Sequence, residues 1–124
     1  MDTRSATRKV LIVDDDKAIR RMLNRALGFF GYDVIEATNG REALTLFNQE
    51  RPDIVVSDIY MPVMNGIHLL RAIRKAQKNA KVVLMTGYGH FAQLAADENS
   101  RPDGYFEKPV YIPQLVATME ELLD

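Results

Sequence analysis

The stretch Pro52-Asp53-Ile54-Val55-Val56-Ser57-Asp58-Ile59-Tyr60-Met61-Pro62-Val63-Met64-Asn65-Gly66 decides the fold. Its apolar run, Ile54, Val55 and Val56, reads as a strand buried on both faces, the pattern of a parallel sheet covered above and below. The run ends on a carboxylate, Asp58, and the turn formers Pro62 and Asn65-Gly66 close the loop behind it. In open α/β sheets, ligands and chemistry gather beyond the carboxyl ends of the strands. Asp58 stands at that place, although a solubilising Asp at a strand end has the same local pattern.

Working outward, Lys9 to Val13 predicts another buried strand, which breaks abruptly into Asp14-Asp15-Asp16. From Lys17 to Phe30, Ile19, Met22, Leu23, Ala26, Leu27 and Phe30 recur at helical spacing along one stripe. Asp16 is placed to cap that helix, and Gly31 to end it. Arg20, Arg21, Asn24 and Arg25 fill the opposite, solvated face. Asp33 to Ala37 predicts a second strand. Asn39 with Glu42 three residues on has the capping spacing for a helix to about Gln49, with Ala43, Leu44 and Phe47 inward.

Beyond the central strand, Gly66 opens a helix carrying Leu69, Leu70 and Ile73, and Lys81 to Thr86 is a fourth strand. A weaker pattern predicts a helix from about His90 to Ala96, ended by the polar run to Pro102. Gly104 to Glu107 is a short fifth strand, followed by Lys108-Pro109. Pro113 suits the first turn of a last helix, whose stripe is Ile112, Leu115, Val116, Met119, Leu122 and Leu123. Five strands alternating with five helices predict an α/β fold, a five-stranded parallel sheet flanked by helices on both faces.

A chain of 124 residues suits one domain of ordinary size with a single core. The 16 Lys and Arg balance 17 Asp and Glu, so no electrostatic footprint for nucleic acid or an acidic membrane surface is present. Without cysteine, disulfides, thiolate chemistry and Cys-bound zinc are excluded. No apolar run approaches the ~20 residues that cross a bilayer, and residues 1–8 lack the apolar core of a signal peptide. A cytoplasmic setting is the expectation.

The strand ends carry the chemistry. Strand one ends at Asp14-Asp15, strand three at Asp58, strand four at Thr86, and strand five runs into Lys108. In a parallel sheet these ends share one edge. Three carboxylates there repel one another, and a single Lys offsets only part of that charge. A divalent cation is the natural complement, and oxygen-only ligands favour Mg²⁺ or a similar hard ion such as Mn²⁺. Thr and Lys, which a static metal site does not need, can donate to an anion. Together they suit phosphoryl transfer, with Asp58 as the nucleophile.

With these residues in place, the chain resembles the receiver domain of two-component response regulators over essentially its whole length. The matching segments are Val10-Leu11-Ile12-Val13-Asp14-Asp15, Pro52 to Asp58 with Met61-Pro62 and Asn65-Gly66, Val83-Leu84-Met85-Thr86-Gly87, and Gly104-Tyr105-Phe106-Glu107-Lys108-Pro109. Each alone is weak; the four in order are specific. The resemblance implies a flavodoxin-like doubly wound (βα)5 fold of strand order 2-1-3-4-5, with residues 1–8 a flexible tail, 9–124 the receiver domain and no effector domain in this chain. It implies that Asp58 accepts a phosphoryl group from a histidine kinase or histidine phosphotransfer protein. Asp14, Asp15, Asp58 and the backbone carbonyl of Tyr60 would hold Mg²⁺. Thr86 and Lys108 would contact the phosphoryl group, Thr86 and Tyr105 would be the switch pair, and the Lys108-Pro109 bond would be cis.

Some positions depart from the family pattern or stand outside it. Asp97 to Asp103 is polar and contains Pro102, where many members carry small apolar residues. Val110 replaces an aromatic. Tyr60 and Tyr88, two residues beyond Asp58 and Thr86, would hinder the water that hydrolyses the acyl phosphate and so prolong the phosphorylated state. His68 and His90 have no metal-ligand spacing and read as helix-surface residues. An aspartate-nucleophile phosphohydrolase and a flavodoxin-type binding module are the competing functions. The first normally has Asp-x-Asp on its first strand, and the second needs Gly, Ser or Thr rather than three Asp in its first loop. The output partner, and whether the phosphorylated form is a dimer, stay open at this level.

Overall fold

The computed structural model describes residues 7–87 and 101–124. The elements run β1 (Lys9–Val13), α1 (Lys17–Phe29), β2 (Asp33–Ala37), α2 (Gly40–Glu50), β3 (Ile54–Asp58), α3 (Gly66–Ala76), β4 (Lys81–Thr86), β5 (Gly104–Glu107) and α4 (Ile112–Leu123). The five strands form one wholly parallel sheet in the order β2-β1-β3-β4-β5. Four helices stand among the described residues; the helix expected from about His90 to Ala96 lies outside them. The expected flavodoxin-like, doubly wound α/β arrangement is the one found.

Alternation along the strands explains why they are apolar throughout. Val10, Ile12, Ile54, Val56, Val83 and Met85 point to one face, where they pack with Leu23 and Leu27 of α1 and Leu115, Val116 and Met119 of α4. Leu11, Val13, Val55, Val82 and Leu84 point to the other, against Ala43 and Phe47 of α2 and Leu69, Leu70 and Ile73 of α3. Each fully buried Leu contributes roughly 1.5–3 kcal/mol. Both faces are covered, so neither set of alternating residues could be polar.

Local signals set the helix ends. Asp16 Oδ1 accepts from the amides of Ala18 and Ile19, capping α1 as its position implied. At the other end Gly31, with φ of 96°, lets its own N–H reach Gly28 O while Tyr32 N–H reaches Leu27 O. That pair of bonds is a Schellman motif, and it turns the chain sharply into β2. Asn39 Oδ1 caps α2 through Glu42 N–H. Glu42 reaches back one residue further than a standard capping box, accepting from Thr38 N–H and its hydroxyl.

The predicted stripe of α1 is wider than the surface that covers it. Leu23 and Leu27 are buried, but Met22 is 44% and Phe30 47% exposed. Met22 instead lines an apolar groove with Ile19, Pro109 and Val110. The loop after β3 is folded tightly: Gly66 N–H bonds Ile59 O at 2.8 Å, and Gly40 N–H bonds Met64 O at 3.2 Å. A Cβ on Gly66 would collide with the carbonyl oxygen of Asp58. Glycine is required there by close approach of backbone to backbone. At the loop tip Val63 takes φ of 72° under a Met64 N–H to Pro62 O bond, a strained γ-turn for a β-branched residue.

Candidate functional site

Strand order reverses between β1 and β3, because the chain leaves β1 for β2 on one side and returns to β3 on the other. The crevice at that switch point lies beyond the carboxyl ends of the two strands. Asp14 and Asp58 occupy it. Asp14 is fully buried, and its N–H bonds Ala37 O at the end of β2, extending the ladder one residue past β1. Asp58 is the last residue of β3 and is 7% exposed. Asp15 is exposed at the mouth. Oxygens of Asp14, Asp15 and Asp58 all lie within 4.8 Å of one another.

Lys108 enters from the far side of the sheet. Its N–H bonds Thr86 O at 2.8 Å, continuing the pairing of β5 with β4. Its Nζ donates to Asp14 Oδ2 at 2.8 Å and to Asp58 Oδ2 at 3.0 Å. Burial by itself lowers the Lys108 pKa, but the two carboxylates more than offset this and the net shift is upward. The Asp58 pKa is also raised, chiefly by burial and further by the nearby Asp14 charge, against the pull of Lys108. The cluster sets three acids against the one ammonium bonded to two of them. The Lys108-Pro109 peptide is cis, the isomer that the resemblance implied.

Thr86 closes β4 and is fully buried. Asp58 pairs with Met85, so Thr86 stands one residue beyond the phosphoacceptor candidate on the adjacent strand. Tyr105 lies opposite Leu84 on β5, half-buried against the core on the α2 and α3 side. Burial raises its phenol pKa, and Glu107 and Tyr60 add to the shift. Tyr60 is 44% exposed, and its N–H donates to Asp58 Oδ1 at 3.3 Å. Tyr88 and His90 lie outside the described residues. His68 is exposed on the first turn of α3, its N–H capped by Asn65.

Two features escaped the sequence reading. Arg20 does not belong to a solvated face. Its Nη1 donates to the backbone carbonyl of Asp14 at 2.8 Å, and its Nε to Glu36 of β2 at 3.2 Å. Asn24 Nδ2 donates to the other Glu36 oxygen at 2.6 Å. The available signal was Glu36, an acid within an otherwise apolar stretch that shares its sheet face with Val34, and Val34 packs towards α1. The second is Ser57, a buried hydroxyl that donates to Asp58 O at 2.9 Å. Nothing in its neighbours along the chain distinguishes it from any small strand residue.

An acidic crevice at the switch point of a doubly wound sheet, bridged by one lysine, defines a class of α/β domains whose oxygen-rich site suits a hard cation. Comparison with known proteins places the chain more narrowly. The response regulator receiver domain family matches residues 10–120, and the chain belongs to that family. Response regulator MprA of Mycolicibacterium vanbaalenii is 37% identical over 115 residues, which are 93% of this chain and 50% of that protein. The chain therefore spans about half the length of the curated relatives it matches. Among solved structures, a CheY-like receiver domain from Methanospirillum hungatei superposes with a TM-score of 0.89 at 33% identity, covering 95% of this chain and 94% of that one. TrrA of Thermotoga maritima, solved in complex with Mg²⁺-BeF, gives 0.85 at 36% identity, covering 94% and 100%. The domain is thus a signalling module of the two-component type, and the phosphohydrolase and flavodoxin alternatives give way to it.

Proposed function

We propose that Asp58 accepts a phosphoryl group from a phosphohistidine of a histidine kinase or histidine phosphotransfer protein, and that the domain works as a Mg²⁺-dependent switch. The observation that carries this reading is the convergence of Asp14, Asp15 and Asp58 oxygens within 4.8 Å, with Lys108 Nζ on two of them. Three acids, two of them buried, around a single ammonium fit a hard divalent cation, Mg²⁺ or Mn²⁺. Asp14, Asp15, Asp58 and the Tyr60 carbonyl would hold it. When bound it neutralises charge on the transferring phosphoryl oxygens.

The remaining steps belong to the chain. An Asp58 carboxylate oxygen attacks phosphorus in line; the O–P bond forms as the P–N bond breaks, and the imidazole departs with the electron pair and takes a proton from solvent. Lys108 then exchanges its carboxylate partners for a phosphoryl oxygen, and the Thr86 hydroxyl donates to another. Tyr105 follows Thr86 inward. Moving such an equilibrium from mostly inactive to mostly active takes on the order of 5 kcal/mol. Two charge-assisted hydrogen bonds of about 1.5–3 kcal/mol each supply most of it. Water attack on the same phosphorus, with the carboxylate leaving, resets the switch, so the domain catalyses only its own phosphorylation and dephosphorylation.

The setting proposed is the cytoplasm, consistent with a chain free of cysteine and, among the described residues, of any helix long and apolar enough to cross a membrane. The first helix, with its apolar groove beside Pro109 and Val110, is the proposed docking side for the phosphodonor. Nucleic acid is not a direct partner in this reading. Intact mass after treatment with acetyl phosphate and Mg²⁺ tests it: wild type gains one phosphoryl group and Asp58→Asn gains none. Equal labelling of both would overturn it.

A further inference from the structure

We infer that Arg20 is a positioning residue for the cation site: braced by Glu36, its guanidinium pins the Asp14-Asp15 peptide and thereby aims the Asp15 carboxylate. The inference rests on the metal-site reading above and concerns a residue that touches neither ion nor phosphoryl group. Among the described residues no hydrogen bond holds the Asp15 carboxylate itself. Its direction therefore comes from its backbone.

That backbone is fixed on both sides. Asp16 N–H is held by Asp14 Oδ1 at 2.9 Å, and Asp14 N–H by Ala37 O at 3.2 Å. Among the described residues, the one side chain that grips the intervening peptide is Arg20, through Asp14 O at 2.8 Å. A guanidinium is well shaped for this grip, since one edge donates to the carbonyl while Nε donates to Glu36, and the fork cannot swing. Asn24 holds the second Glu36 oxygen at 2.6 Å, and the brace is anchored across α1 and β2. Arg20 is largely buried, its side chain 13% exposed. A fully solvated arginine would not be held this way.

Charge and position make opposite predictions. A cation near a metal site repels the metal, so losing Arg20 on Coulomb grounds alone would tighten binding. Losing a residue that aims a ligand weakens it, by about tenfold or more when an outer partner of a ligand is removed. The experiment is a Mn²⁺ titration of the folded protein, free ion counted by its EPR signal, for wild type, Arg20→Met, Arg20→Lys, Glu36→Gln and the exposed control Arg25→Met. Met keeps the apolar stem while removing fork and charge.

Arg20→Met is expected to bind Mn²⁺ about tenfold more weakly, Glu36→Gln more weakly than wild type, and Arg20→Lys, which keeps the charge without the fork, to regain only part of the loss. Arg25→Met should bind at least as tightly as wild type. An Arg20 with a merely structural role would lower the melting temperature in EDTA and leave the affinity of the folded protein alone. Wild-type or tighter binding by Arg20→Met overturns the inference; should that variant not fold, unchanged affinity in Glu36→Gln does the same. Absence of Mn²⁺ binding by wild type would instead remove the metal-site reading itself.

Discussion

The ammonium of Lys108 lies 3.0 Å from a carboxylate oxygen of Asp58, a residue 50 positions earlier in the chain. The same nitrogen holds Asp14 at 2.8 Å, so one cation ties the carboxyl ends of β1 and β3 to the end of β5. Every part of the proposed switch depends on this bridge, because phosphorylation must replace it.

Removing that cation should expose the repulsion it contains. Lys108→Ala leaves Asp14 fully buried beside Asp58 with no ammonium between them. Since the lysine is itself partly exposed, a loss of about 1–3 kcal/mol is expected in metal-free buffer, below the full cost of breaking a buried pair. Mg²⁺ should restore much of it by supplying the missing charge. Urea unfolding with EDTA and with Mg²⁺ checks both effects; a variant as stable as wild type in EDTA would contradict them.

Asp58→Asn should stabilise the metal-free protein at neutral pH. The Asp58 pKa is raised in the fold, mainly by burial. An acid shifted upward contributes stability that is fully present below its unfolded value of about 3.9 and is lost as pH rises through the folded value. Wild type therefore falls behind Asp58→Asn as pH climbs out of the acid range. Melting temperatures from pH 3 to pH 8 in EDTA measure the gap, which should close at the acid end and narrow or reverse with Mg²⁺.

Gly66→Ala tests the backbone that supports Asp58, the proposed nucleophile. The added methyl would meet the Asp58 carbonyl oxygen, with Ile59 Cα 2.9 Å away, and neither can move without shifting the end of β3. A cost of about 1–3 kcal/mol follows from overpacking. Phosphorylation by acetyl phosphate should slow as well, because the displaced atoms belong to Asp58. Normal labelling in a destabilised variant would separate the two consequences and count against the second.

Tyr60 is placed to act on lifetime rather than formation. It is half-exposed and bonded through its N–H to Asp58 Oδ1, and in the proposed function its ring would shield the acyl phosphate from water. Tyr60→Asn removes the ring and offers a side chain that can hold water, so dephosphorylation should quicken several-fold. Decay of the phosphorylated species by intact mass is the measurement, and an unchanged half-life would exclude a shielding role for the ring.

Strand and helix identities were legible because they rest on neighbours a few residues apart. The apolar run at Ile54, the cap at Asp16 and the helix end at Gly31 all operate within one turn or one pleat. The strand-end acids were legible too, since a parallel sheet puts its carboxyl ends on one edge. Arg20 was misread for the converse reason: on its helix it differs from Arg21 and Arg25 only in what stands opposite, and Glu36 sits on another strand. Met22 obeyed the helical stripe yet remains 44% exposed, because it forms the wall of an apolar groove with Pro109 and Val110.

The order of apolar and polar residues along this chain determined by itself that strands alternate with helices, that both sheet faces are covered, and that acids, a hydroxyl and an amine end the strands. Backbone geometry imposes those periodicities locally, so they need no partner to be read. Only the tertiary structure decided that Lys108 bridges Asp14 and Asp58, that Arg20 grips the Asp14 carbonyl, and that Gly66 touches the backbone of Asp58. Those contacts join residues separated by up to 94 positions. Their distances are set by strand register and by how each helix settles on the sheet, and no local pattern encodes either.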